Sequence, residues 1–235
     1  MDINADIGEG YDDAALMPYL TRASIACGGH TGDPRSMDAA LTLAAEYGVA
    51  VGAHPSYPDR EGFGRREWAA TPEQIAQWVT QQTEALFEIA ATKGMRLAHI
   101  KPHGALYHAA AQHEAVAAAI AEAVTDWDAE LILVGLSGSR LIEAGRDAGL
   151  AVMAEVFADR RYQSNGQLVS RETPGALITD PETAAAQAYA LAQDQTIVAL
   201  DGSPLRLAAD TLCLHSDTPG AIGIARAVAQ TLNRG

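Results

Sequence analysis

Residues 99–108 read HIKPHGALYH and hold three of the chain's seven histidines, with Lys101 between the first two. An imidazole can move a proton near neutral pH or bind a metal, and an ammonium can steady developing negative charge. The run LAHI leads into the stretch, and Pro102 and Gly104 then break it. A lysine within a buried strand is seldom tolerated without a charged partner or a function, so Lys101 is read as functional. His99, Lys101 and His103 alternate with a period of two and share one strand face. His99 is either core or the lower wall of the same pocket. His108 and His113 read as loop or helix-start residues.

Other titratable side chains gather where apolar runs stop. Asn4, Asp6 and Glu9 follow one another near the N-terminus, and Asn4 and Asp6 alternate inside an apolar run, which core packing would not choose. Later runs end at Cys27, His30 and Asp33, at His54 and Asp59, and at Lys101 and His103. Glu155, Asp159 and Arg160 form the next group, and His215 and Asp217 the last. Asp6, His30 and His54 are of the right types for a divalent ion with open positions. In GFGRRE (62–67) two glycines let backbone amides approach a ligand, and Arg65 or Arg66 can clamp a carboxylate or phosphate; a solvated loop is the alternative. Gly135–Ser139 reads as a capped turn ahead of an anion site. The chain has no G-x-S-x-G elbow and no H-E-x-x-H, so serine-hydrolase and zincin chemistry find no support.

Short β-type runs alternate with longer helical ones. Strands are expected over 2–8, 23–28, 49–54, 97–102, 130–135, 151–158, 196–200 and 210–215, most dense in Val, Ile, Leu and Ala as strands buried on both faces are. Helices are expected over 34–47, 72–93, 112–125, 138–148, 181–194 and 218–233. Asp33, Thr71 and Asp180 each precede a first-turn proline, and Gly48, Gly94 and Gly149 stand where helices should stop. This rhythm points to an α/β fold, an irregular TIM-like barrel of seven or eight βα units in a single domain spanning 1–235. A doubly wound sheet is the alternative. No G-x-G-x-x-G follows a strand and no G-x-x-x-x-G-K-[ST] occurs, which counts against a built-in dinucleotide or P-loop site. In a parallel barrel the C-terminal strand ends share one face, so the polar groups above would meet in one pocket.

The chain has 16 Lys+Arg against 30 Asp+Glu, a formal charge of −14. That field repels nucleic acid and anionic membranes, and no basic run offsets it. A small anionic substrate would need a local cationic pocket. Cys27 and Cys213 make no disulfide framework or zinc motif. MDINADIGEG lacks the apolar core of a signal peptide, and no apolar run approaches the ~20 residues of a membrane span, so the cytoplasm is the expected location.

Several stretches together resemble the LamB/YcsF family. DINADIGEGY is similar to its D-x-N-x-D-x-G-E-x-F/Y signature, and SIACGGHTGDP to its N-I-A-C-G-F-H-A-G-D-P segment. VAVGAHPSYPDREGFGRR, HIKPHGALY, LILVGLSGS, AEVFADRRY and PGALI follow in the family's order over nearly the whole chain. The resemblance implies an irregular TIM-like (β/α)7 barrel, polysaccharide-deacetylase-like. It implies opening of the lactam 5-oxoproline (pyroglutamate) to L-glutamate with ATP and Mg2+, as one component of a multi-subunit 5-oxoprolinase with two other subunits. Homo-oligomerisation stays open.

For that chemistry Asp6 or Glu9 is the expected base, Lys101 stabilises charge and His103 transfers a proton. Asn4, His30, His54, Glu155 and His215 are expected to bind substrate, with Arg65 on its carboxylate. Replacing Lys101 by Met is expected to stop turnover while leaving the fold intact. Ala5, Ser24, Gly29 and Ser216 depart from the family's Cys, Asn, Phe and Gly, at strand ends where they can reshape the pocket. A metal-dependent amide hydrolase or deacetylase without ATP, and a lactam-binding subunit with no chemistry of its own, are the two rival readings.

Overall fold

A computed structural model describes residues 1–232 of the chain. In chain order the strands are β1 (Asp2–Ile7), β2 (Arg22–Ala26), β3 (Ala50–His54), β4 (His99–Ile100), β5 (Ile132–Leu136), β6 (Ala151–Phe157), β7 (Ile197–Val198), β8 (Pro204–Leu205) and β9 (Thr211–Leu214). β1 to β6 pair in sequence, all parallel, and β9 pairs with both β6 and β1 to close a seven-stranded barrel. That closure excludes the doubly wound sheet. The run at 196–200, expected as a further strand, leaves the barrel instead. Its β7 pairs antiparallel with β8 in a separate ribbon.

The helices are α1 (Asp13–Leu16), α2 (Pro34–Tyr47), α3 (Pro72–Thr92), α4 (Gly104–Gln112), α5 (Glu114–Trp127), α6 (Arg140–Asp147), α7 (Pro181–Ala192) and α8 (Ala221–Leu232). The start signals act as expected. Asp33 accepts from Ser36 N at 2.9 Å, Thr71 from Gln74 N at 3.3 Å and Asp180 from Thr183 N at 2.8 Å. Ser139 caps α6 through Ile142 N at 3.4 Å, so Gly135–Ser139 is a capped turn. α2 buries Met37, Ala40, Leu41 and Ala44, the i, i+3, i+4, i+7 stripe of an amphipathic helix, each large side chain contributing roughly 1.5–3 kcal/mol. The sequence pattern does not predict α4. Gly104, read as an exit from the strand, is the first helical residue, and its φ of +56° makes the sharp turn from β4 into α4. Of the helix expected over 218–233, residue 233 lies outside the described residues.

The inside of the barrel is unusually polar. Asn4 and Asp6 from β1, Ser24 from β2, His54 from β3, His99 from β4, Glu155 from β6, and Thr211 and Cys213 from β9 are all buried. The alternate positions of β1, Ile3, Ala5 and Ile7, join the apolar core instead. Gly52 makes room for one of the polar groups, since a Cβ there would overlap the His99 ring. His99 Nε2 lies 3.0 Å from Ser24 Oγ, so His99 is barrel core below the pocket.

Candidate active site

Lys101 follows β4 directly, and its backbone N–H still donates to Ala53 of β3 at 3.0 Å. This ladder bond fixes the side chain inside the barrel. An ammonium has three hydrogens to donate. Lys101 Nζ finds Asp6 Oδ1 at 2.6 Å, Asn4 Oδ1 at 2.9 Å and Glu155 Oε1 at 3.0 Å. Burial alone would lower its pKa, but Asp6 leads the neighbours that raise it well above the ordinary lysine value. Lys101 therefore stands as a positive charge paired with Asp6 and Glu155. Glu155 is held from its other side by Tyr107 OH at 2.7 Å. Cys213 Sγ lies 3.5 Å from Lys101 Nζ, and burial pushes its thiol pKa well up, so it is no nucleophile.

The two carboxylates of β1 and its following turn are driven apart. Burial would raise the Asp6 pKa, yet His54 and the Lys101 ammonium hold it well below the usual carboxylate range. Glu9 is raised, first by burial and then by the negative charge of Asp6. Two acids with separated proton affinities have the makings of an acid–base site. Glu9, the one shifted toward neutrality, is the better proton carrier.

Three imidazoles surround Glu9. His30 Nε2 lies 2.8 Å from Glu9 Oε1, and His103 Nδ1 lies 3.3 Å from the same oxygen. His54 Nε2 is 3.0 Å from His103 Nδ1 and 3.3 Å from Asp6 Oδ1. The far side of each inner ring is committed. His54 Nδ1 donates to the Lys101 carbonyl at 2.7 Å, and His103 Nε2 donates to the Phe63 carbonyl at 3.0 Å. Phe63 reaches that position with a φ of +56°, a costly conformation for a bulky side chain. Burial, with His30 and His54, holds His103 well below the usual histidine pKa, and burial brings His30 down to about 2.

A second pair lies across the barrel mouth. His215 Nδ1 sits 3.0 Å from Asp159 Oδ1, and Thr218 donates to Asp159 Oδ2 at 2.5 Å. Asp159 fixes the imidazole's tautomer and leaves Nε2 free for proton transfer. At the rim, Asp217 accepts from Arg65 at 2.6 Å and from Arg171 at 2.7 Å. Arg65 also lies over the Phe63 ring, 5.1 Å from its centroid.

Glu9, His54, Lys101, His103, Tyr107 and His215 line one cavity of about 590 Å³. Its size is that of a small-molecule site. Most of the expected residues meet there, Asp6, Arg65 and Glu155 among them. Two do not. Asn4, expected on the substrate, lies below Lys101 with its amide on Thr211 Oγ1 at 2.8 Å. His30 lies behind His103, with the two rings parallel and 3.6 Å apart. Both are a layer back because barrel closure puts another side chain between them and the cavity. Sequence reasoning misses Tyr107, Arg171 and the Asp159–His215 pairing. Tyr107 stands one helical turn after His103, a signal visible only once α4 is known. The departure at Gly29 is filled from within: a Cβ there would overlap Gln82 and Ser56, which bond each other through Ser56 N–H to Gln82 Oε1 at 3.0 Å and Gln82 Nε2 to Ser56 O at 2.8 Å.

Fold and site together define a parallel (β/α)7 barrel of enzyme type, with acid–base groups and a buried cation at the C-terminal ends of its strands. The LamB/YcsF family pattern matches residues 1–235, and the chain belongs to that family. It is 49% identical over 234 residues to the A subunit of 5-oxoprolinase from Chloroflexus aggregans, covering 97% of this chain and 93% of that one. The A subunit of 5-oxoprolinase from Bordetella pertussis is 47% identical over 240 residues, covering 100% and 95%. Among solved structures, the lactam utilization protein from Thermus thermophilus superposes with a TM-score of 0.94 at 44% identity, over 100% of this chain and 96% of that one.

Proposed function

We propose that this chain is the lactam-opening component of a multi-subunit, ATP-dependent 5-oxoprolinase, converting 5-oxoproline to L-glutamate in the cytoplasm. The observation that carries the reading is the fixed Lys101 charge beside Asp6 and Glu9 on the cavity floor, in a chain whose relatives are named as the A subunit of 5-oxoprolinase. Among the described residues no helix is long and apolar enough to cross a membrane.

A five-membered lactam is a poor electrophile, and its closed form is favoured over the open amino acid. Transfer of the γ-phosphoryl group of ATP to the amide oxygen addresses both. Water then adds to the ring carbon, the carbon–nitrogen bond breaks, and the nitrogen leaves with a proton. The resulting acyl phosphate loses phosphate to a second water, giving glutamate, ADP and phosphate. Glu9 takes the proton of the attacking water. The Lys101 ammonium stabilises the negative charge that builds on the oxygens. His215, oriented by Asp159, supplies the proton to the nitrogen. Arg65 and Arg171, now sharing Asp217, are the cations available for the substrate carboxylate. The chain carries no P-loop motif, so the two partner subunits, with Mg2+, are proposed to bring ATP to this cavity.

The test is reconstitution with both partners. Glutamate release should require this chain, ATP and 5-oxoproline, and Glu9→Gln should stop it. Release that continues at the same rate without ATP would favour the simple amide-hydrolase reading instead.

A further inference from the structure

We propose that Glu9, His54 and His103 bind one divalent transition-metal ion of the zinc type at the cavity floor, with His30 holding Glu9 in place. Both His54 and His103 have their outer ring nitrogens committed to backbone carbonyls. A backbone carbonyl only accepts, so the hydrogen of His54 is on Nδ1 and that of His103 on Nε2. The two inner nitrogens, His54 Nε2 and His103 Nδ1, are therefore turned toward each other, at 3.0 Å. Glu9 Oε1 lies 3.3 Å from His103 Nδ1 and 3.9 Å from His54 Nε2. Two ring nitrogens and a carboxylate oxygen converge there, the atom types a zinc-like ion takes as ligands.

The spacing suits an ion. Tetrahedral ligands at ~2.0–2.1 Å from zinc stand about 3.4 Å from one another, close to the three separations here. The surrounding bonds are those of a metal site as well. Metal-binding imidazoles commonly anchor their outer N–H on a carbonyl, and ligating carboxylates are themselves hydrogen-bonded, as Glu9 is by His30. Charge points the same way. Asp6 and Glu155 share the one Lys101 ammonium, whereas the Glu9 side chain, 5% exposed, meets only imidazoles, so negative charge there is in excess.

This ligand set differs from the Asp6, His30 and His54 grouping that residue types suggest. Asp6 Oδ1 is already taken by Lys101 at 2.6 Å. The His30 ring is parallel to His103 and 3.6 Å from it, so an ion in the plane of His103 lies well off the plane of His30. Glu9, His54 and His103 all line the cavity, which leaves the fourth position open to water or a carbonyl oxygen. An ion there makes its bound water more acidic, and Glu9, a ligand through Oε1, keeps its second oxygen for that water's proton. The inference does not depend on the identity of the lactam or on ATP.

The full chain, stripped with dipicolinate, is titrated with ZnCl2 alone by calorimetry, and bound metal is counted by mass spectrometry. The expected result is one equivalent per chain and a higher melting temperature for the loaded protein. His54→Ala and His103→Ala should each weaken binding at least tenfold and remove the melting shift, whereas His113→Ala, at an exposed position, should change neither. Absence of an equivalent of bound zinc, or binding that survives both His54→Ala and His103→Ala, would overturn the proposal. Should those variants fail to fold, the visible spectrum of Co2+ added to the stripped wild-type chain decides. Intense bands of a four- or five-coordinate nitrogen and oxygen site support it, and a spectrum no different from aqueous Co2+ refutes it.

Discussion

Lys101 Nζ and Asp6 Oδ1 meet at 2.6 Å inside the barrel, each cut off from bulk water. From the sequence, Lys101→Met promises a clean loss of activity on an intact fold. The contact alters that expectation, because the variant strands the Asp6 and Glu155 carboxylates in a buried setting. Removing one partner of a buried ion pair costs about 3–5 kcal/mol. We expect Lys101→Met to lose both turnover and that much stability. Adding Glu155→Gln to it should recover part of the stability and none of the turnover. Denaturant unfolding and glutamate release, run on both variants, separate the two effects.

Tyr107 braces the same cluster from α4. Tyr107→Phe deletes the donor to Glu155 Oε2 and leaves a buried carboxylate oxygen short of a partner. The expected loss is about 1–3 kcal/mol of stability. Turnover should fall through kcat more than KM, since the hydroxyl steadies the floor rather than the substrate. An unchanged melting temperature and kcat would contradict this role.

Gly64 and Gly94 share nearly the same backbone, φ +66° and +67°, in different surroundings. A Cβ at Gly64 would stand 2.8 Å from His30 Cβ and 2.9 Å from His103 Cδ2, whereas one at Gly94 meets open space. Both alanine variants should lose about 1–2 kcal/mol from the left-handed backbone. Gly64→Ala alone should also lose most of its activity, because it displaces the imidazoles around Glu9. Equal activity in the two variants would show that the wall near Gly64 is not tightly coupled to the site.

Acid should unfold the metal-free protein early. His30 is held at about 2 and His99 well below its ordinary value, both by burial first. The unfolded chain binds a proton at each near pH 6.5, and the native state refuses both. The unfolded state thus carries more protons below that pH, and stability rises with pH. The contribution is complete above about pH 6.5 and is lost as pH falls, by about 1.4 kcal/mol per pH unit for each histidine. Denaturant midpoints of the chelator-treated chain from pH 7.5 to 5.5 should show this slope, and His99→Gln should flatten it. A midpoint independent of pH over that range would contradict the buried neutral state of these rings.

The barrel and much of its floor are legible in the sequence for identifiable reasons. Asn4 and Asp6 alternate in a strand that should be apolar, and Lys101 sits where a charge is expensive, so both stand out before any contact is known. The seventh barrel strand is harder. The runs 196–200 and 210–215 are both short and apolar in the sequence, and only pairing with β1 and β6 selects the latter. Residue type points Asn4 and His30 at the substrate but does not reveal depth, and one more layer of side chain hides each. Tyr107 and the Asp159–His215 pair escape sequence reasoning because their partners are 48 and 56 residues away.

The most direct test follows isotope-labelled 5-oxoproline through the complex of this chain with its two partner subunits, with ATP present and absent. Labelled glutamate and phosphate should form in equal amounts only when ATP and the wild-type chain are both present, and none with Glu9→Gln. Glutamate formed without this chain, or at a near-normal rate by Glu9→Gln, would contradict that expectation.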